Sequence, residues 1–157
     1  MKNKRFKYKK PYFDYEQIYF AHPIAHYNTE FEWECIDLII NALTPIGEDI
    51  TDGGINIFNP NQKWLSKLYQ KRKNKDGFEI FREIVRCCDS IVGVTFMDGI
   101  LGAGVAEELD TALAAEIPAY LIFVDNGKKY FMPVSDLKNY KILSIEETRK
   151  RIDNGVM

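Results

Sequence analysis

The chain has 157 residues, 46% hydrophobic and 28% charged, a composition that suits one globular domain with a sizeable core and excludes a disordered or multidomain chain. Lys and Arg number 21 against 23 Asp and Glu, and the net charge of −2 excludes a general electrostatic attraction to nucleic acid or anionic membrane. The longest apolar stretches, over 91–97 and 117–124, fall far short of the roughly 20 residues of a membrane helix, so no membrane partner is expected.

Residues 1–16 form a basic tail, with Lys2, Lys4, Arg5, Lys7, Lys9 and Lys10 interleaved with Phe6 and Tyr8. Such a tail is expected to be solvated, and it is the one place where single-stranded nucleic acid could be gripped by phosphate contact and stacking. No apolar h-region follows the basic start, and Cys35, Cys87 and Cys88 form no C-x-x-C pair, so a cytoplasmic protein without a disulfide framework is expected.

A single domain is expected over 17–157. Ile18-Tyr19-Phe20-Ala21 is an uncharged run that ends at His22-Pro23, as a buried strand stopped by proline does. Thr29-Glu30-Phe31-Glu32 matches a capping box, and Phe31, Cys35, Leu38, Ile39 and Ala42 recur at helical spacing. The stretch 44–54 reads as a loop, 55–58 as a short strand, and 61–76 as a helix with Trp64, Leu65 and Leu68 on one side that runs into a polar link over 70–76. Phe78, Phe81, Ile84, Val85 and Cys88 mark a further amphipathic helix, and 90–96 a buried strand. A glycine-rich loop over 98–104 opens a helix over 105–116, followed by a strand over 118–124. Asp125-Asn126-Gly127 is a turn, 130–134 a small extension, and Ser144-Ile145-Glu146-Glu147 a second capping box before the last helix. Uncharged strands alternating with amphipathic helices predict an α/β fold: a flavodoxin-like doubly wound sheet of about five parallel strands with helices on both faces. Ligands of such folds bind outside the carboxyl ends of the strands.

The loop and helix start Asp98-Gly99-Ile100-Leu101-Gly102-Ala103-Gly104-Val105-Ala106-Glu107-Glu108 joins glycines to acids at that end. A dinucleotide fingerprint would need glycine where Glu107 stands, and a Walker loop would need Gly-Lys-Ser/Thr, so neither phosphate motif is present. Val105, Glu108, Leu109 and Ala112 share a helical face, which sets Glu108 against the sheet among apolar neighbours while Glu107 points elsewhere. His22 and His26 lie four apart, but Pro23 keeps them off one helical face and no third ligand is evident, so no metal site is expected. His22 stands at a strand end where substrate contact is expected, and Asn28 and Thr29 open a helix whose free N–H groups suit a phosphate.

Three segments together, Ile18-Tyr19-Phe20-Ala21, Cys88-Asp89-Ser90-Ile91-Val92-Gly93-Val94 and Gly104-Val105-Ala106-Glu107-Glu108-Leu109-Asp110-Thr111-Ala112, resemble the nucleoside 2-deoxyribosyltransferase family, whose relatives include deoxynucleoside-monophosphate N-glycosidases. The resemblance implies cleavage or transfer at the N-glycosidic bond of a nucleoside or nucleoside monophosphate, with Glu108 as the nucleophile that takes the sugar covalently. It implies Tyr19 as the group that orients Glu108, and no cofactor. Asp98 is expected to bind sugar hydroxyls or protonate the departing base, and His22, Pro23, Asn28, Gly102 and Gly104 to surround the substrate. A homo-oligomer, a dimer or higher, is implied because such enzymes complete their sites across subunits. The arginine and serine that the monophosphate-hydrolysing relatives place in the first loop are absent between His22 and Glu30, which favours nucleosides.

Where the family has glycine on either side of the Glu-Leu pair the chain has Ala106 and Asp110, and Phe81 stands in place of the family's usual aspartate. These departures favour the alternative, a nucleotide-binding or sensor module of the same fold that does not cleave its ligand.

Overall fold

A five-stranded sheet runs through the molecule in the order β2-β1-β3-β4-β5, formed by β1 (Glu16–Ala21), β2 (Ile55–Phe58), β3 (Ser90–Val94), β4 (Ala119–Asp125) and β5 (Lys128–Val134). The computed structural model describes residues 16–44, 55–72 and 76–157. The expected tail thus lies outside the described residues except for Glu16, which pairs with Ile55 as the first residue of β1. The expected loop at 44–54 is likewise outside them beyond Thr44, and the polar link keeps its helical part, since α2 (Lys63–Arg72) continues through Gln70.

The first four strands are parallel, with Ile18 opposite Ile57 on one side and Ser90 on the other, and Ile91 opposite Ala119. The fifth is antiparallel, pairing Ile122 with Phe131, which corrects the expectation of about five parallel strands. The cause is local. Asn126 (φ 49°) and Gly127 (φ 78°) are both left-handed, the geometry of a two-residue hairpin turn that returns the chain alongside the strand it has just left. Pro133 within β5 fits an edge strand, whose outer N–H groups bond nothing in the sheet.

Both faces of the sheet are covered. Ile18, Phe20, Val92, Val94 and Ile122 pack against Cys35 and Ile39 of α1 (Glu30–Leu43). Tyr19, Ala21, Ile91 and Leu121 pack on the opposite face with Val85 of α3 (Phe78–Cys87) and Val105, Leu109 and Ala112 of α4 (Ala103–Ala114). Each of the Val, Leu, Ile and Phe side chains among these contributes about 1.5–3 kcal/mol. The α1 cap is half a capping box: Thr29 Oγ1 accepts from Glu32 N at 3.3 Å, but the Glu32 carboxylate reaches elsewhere. The box at Ser144, which opens α5 (Ile145–Asp153), is complete.

The order 2-1-3-4-5 places a topological switch between β1 and β3, where connections leave to opposite faces and a crevice opens at the carboxyl ends. How deep α4 lies on this crevice is set at Gly93. A Cβ there would come within 2.8 Å of Leu109 Cδ1 and 3.1 Å of its Cγ, so the bare backbone of β3 lets Leu109 seat fully buried. We expect Gly93→Val to destabilise by about 2 kcal/mol through overpacking, and the loss to be less than additive with Leu109→Ala, as chemical denaturation of the single and double variants will report.

Candidate functional site

A cavity of about 290 Å³ opens at the switch point. His22 and Pro23 enter its wall from the end of β1, Phe96 from the loop after β3, and Gly102, Gly104 and Glu108 from the start of α4. Five of the residues expected at a site, His22, Pro23, Gly102, Gly104 and Glu108, are therefore brought together. Gly104 leaves open room: a Cβ there would meet only Phe78 Cε1, at 3.7 Å.

Glu108 keeps some accessible surface in the cavity wall. Burial pushes its carboxyl up to about 8, with the neighbouring Glu107 charge adding to the rise and Tyr19 opposing it. Tyr19 lies behind Glu108 and outside the cavity wall, fully buried and stacked on Phe58 at 5.7 Å. Its Oη closes no hydrogen bond of normal length, yet it faces the Glu108 carboxyl closely enough for each to act on the other's proton. Burial first, and the Glu108 charge second, hold the Tyr19 phenol well above its ordinary value, so it remains a donor. Tyr27, which lines the cavity, is raised by the same two causes. The carboxyl thus sits between two phenols that keep their protons.

Two expected site residues fall elsewhere. Asp98 does not line the cavity. Its carboxylate pairs with Arg151 of α5 at 2.8 Å and accepts from Ile100 N at 3.4 Å, so the charge expected to serve the substrate anchors a helix. Asn28 is exposed in a left-handed conformation (φ 60°) that turns its side chain to Asn61, whose Nδ2 donates to Asn28 Oδ1 at 3.0 Å.

Asn28 instead belongs to the support of His22. The His22 ring stacks on Phe20 with centroids 3.8 Å apart, its Nδ1 meets Phe20 O at 3.0 Å, and its Nε2 meets Glu32 Oε2 at 2.6 Å. Both nitrogens are committed, so His22 offers the cavity a ring and no free base. The Glu32 carboxyl is buried, which alone raises it, but the bond and charge of His22 outweigh burial, and with Asn28 N and Asn61 Nδ2 they hold it below its ordinary value.

Several lining groups had no motif to announce them. On one side stand Pro60, Tyr69 of α2, and Phe78 and Phe81 of α3, an aromatic wall. On the other stand Thr148, Arg149 and Asp153 of α5. α5 buries no residue of its own and is held over the cavity by polar contacts. Arg151 bridges to Asp98 and lies 5.0 Å over the Phe96 ring, Ala103 N donates to Thr148 Oγ1 at 2.9 Å, and Met157 O accepts from His26 Nε2 at 3.0 Å and Met97 N at 2.9 Å. Arg82 and Arg86 of α3 engage acids of their own chain: Arg82 holds Asp76, Glu79 and Glu107, and Arg86 reaches Glu79 at 3.0 Å.

Among the described residues no cluster of three or more His, Cys, Asp or Glu is placed to hold a metal, and no helix is long and apolar enough to cross a membrane. Compared with models of protein families, with curated proteins and with solved structures, the chain matches none.

The two buried carboxyls oppose each other in their pH dependence. The folded chain keeps a proton on Glu108 up to about 8 that the unfolded chain releases near 4.5, so this group's stabilisation is full below about 4.5 and is lost as pH rises to about 8. Glu32, held below its ordinary 4.5, stabilises above that value and ceases to as pH falls through its folded value. We expect wild-type stability to decline between pH 5 and 8 by at most about 1.4 kcal/mol per pH unit from Glu108, and Glu108→Gln to flatten that decline, measured by urea denaturation across the range. Glu32→Ala, which strands His22 in the core, is expected to cost about 3 kcal/mol at pH 6.

Proposed function

We propose that the chain cleaves the N-glycosidic bond of a nucleoside or nucleoside monophosphate through a covalent glycosyl intermediate on Glu108. The observation that carries this is the Glu108 carboxyl in the wall of a cavity at the strand ends, between an aromatic wall suited to a base and a helix whose Thr148, Arg149 and Asp153 suit sugar hydroxyls. The resemblance of its flanking residues to the nucleoside 2-deoxyribosyltransferases supports the same reading.

In the first step a Glu108 oxygen bonds to the anomeric carbon while the C–N bond breaks, its electron pair leaving with the base nitrogen, which takes a proton from water or a donor in the cavity. In the second, water or another base attacks that carbon and frees Glu108, giving hydrolysis or transfer. Tyr19 and Tyr27, held protonated, donate toward the carboxylate as it forms and as it leaves. Only the ionised carboxylate attacks, so kcat/KM is expected to rise with pH and level off above about 8.

A second reading, a sensor that binds without cleaving, is favoured by the same raised carboxyl, which at neutral pH is mostly a hydrogen-bond donor. A second copy is the expected cover for exposed Ile24 and Ile145, both in the cavity wall, consistent with a homo-oligomer. Chromatography of bases released from deoxynucleosides, ribonucleosides and their 5′-monophosphates, with and without an acceptor base, separates the readings. The enzyme is expected to release base and to lose about a thousandfold or more of kcat in Glu108→Gln. Binding that survives Glu108→Gln, with no product from any substrate, would establish the sensor.

A further inference from the structure

We propose that the α2–α3 side of the cavity is a base slot that holds an aromatic aglycone by its faces and leaves its hydrogen-bonding edge unread, so that a base with an apolar edge is bound at least as tightly as adenine or hypoxanthine. This rests on the reading above, in which the glycosidic carbon lies against Glu108 and base and sugar extend to opposite sides.

The sides differ in chemistry. The α5 side presents Arg149 and Asp153 beside Ile145, Thr148 and Ile152; no ion pair forms at Arg149 or Asp153 among the described residues, and these two suit the hydroxyls or a 5′ substituent of a sugar. The α2–α3 side presents Pro60, Tyr69, Phe78 and Phe81. Tyr69 sets the rings at angles to one another, its centroid 6.0 Å from Phe78 at 62° and 5.7 Å from Phe81 at 54°. A planar base belongs on this side, where stacking on aromatic rings is available whatever its edge.

Among the described residues few groups are left to read an edge there, for identifiable reasons. No polar side chain of α3 lines the cavity, and its two arginines are taken, Arg82 by Asp76, Glu79 and Glu107 and Arg86 by Glu79. His22 has both ring nitrogens engaged. Phe81 occupies the position at which the resembled family carries a carboxylate. Among the described lining side chains there remain the Tyr69 hydroxyl and that of Tyr27, rotors that donate or accept and so do not discriminate. A site built to bond a substrate's polar group rejects an analogue lacking it by about 10⁴–10⁵, whereas an apolar pocket discriminates only about 10–200-fold. Here the polar edge of adenine or hypoxanthine must be stripped of water with little in return.

Titration calorimetry of the free bases tests the slot without requiring turnover. The probes are adenine, hypoxanthine and 6-methylpurine, which lacks an exocyclic donor or acceptor. On the wild-type protein, 6-methylpurine is expected to bind at least as tightly as either of the others, and Phe81→Leu to weaken all three together by about tenfold. Phe78→Leu provides a second variant should the first fold poorly. Weaker binding of 6-methylpurine than of adenine or hypoxanthine, or no binding of any base, overturns the proposal. The base-release assay keeps the two readings apart. Equal or tighter binding of 6-methylpurine without cleavage of any nucleoside retains the slot and removes the glycosidic reading. Cleavage accompanied by preference for a polar edge does the reverse.

Discussion

The contact between Leu109 and the bare backbone of Gly93 determines what the rest of the molecule can do. It lets α4 settle on β3 at a distance that a side chain on the strand would forbid. Leu109 is fully buried, and the residue before it in the helix is Glu108, so the depth of the one fixes the position of the other. A carboxyl is thereby set where the sheet has already buried Tyr19, and water is kept from all of it but the side that faces the cavity. The apolar core does more than hold the fold. It supplies the low-dielectric surroundings that push the Glu108 proton affinity toward neutral pH.

The remaining walls of the cavity are assembled by polar contacts rather than by burial. α5 buries no side chain, and it is held by a capping box at Ser144, the Arg151–Asp98 pair, Thr148 at the start of α4, and the Met157 carbonyl bound by His26 and Met97. Such contacts are individually weak, about 1 kcal/mol or less each where exposed. A roof built this way opens locally at much lower cost than the sheet beneath it. The opposite wall is different in kind, because α3 shares the main core through Val85 and is tied to α4 by Arg82 and Glu107.

Much of this was legible in the residues. The uncharged runs located the strands, helical spacing put Glu108 on the sheet face, and Ser144 to Glu147 formed the expected box. The direction of β5 was not legible from its own alternating composition, which is the same for either direction. It was encoded in Asn126-Gly127, whose left-handed turn permits only a hairpin. Glu32 has the spacing of a capping residue, but a buried histidine competes for its carboxylate and wins, and that competition exists only once β1 and α1 are side by side. Phe78 and Phe81 read as ordinary core positions because helical periodicity separates apolar from polar without saying which apolar residues border a void. Asp98 and Asn28 stood at the right ends of the right strands, and each was claimed by a partner distant in sequence, Arg151 and Asn61.

Within the cavity wall and its support two carboxyls experience opposite environments. Glu32 gains hydrogen bonds from His22, Asn28 and Asn61 that outweigh its burial, so its carboxyl is held low and is spent on holding His22. Glu108 is raised by burial without such compensation, and Arg82, which reaches the adjacent Glu107, is taken by it, Glu79 and Asp76. Pairs of titratable groups whose surroundings drive their proton affinities apart mark the division between a structural charge and a reactive one. A carboxylate left without a cation is poorly stabilised in its resting state, and it gains most from an electrophilic carbon that carries developing positive charge. In the reaction we propose, an oxocarbenium-like sugar would provide that charge only as the glycosidic bond breaks, so the interaction would be worth more in the transition state than in the bound substrate, which is the condition for a carboxylate to accelerate such a reaction.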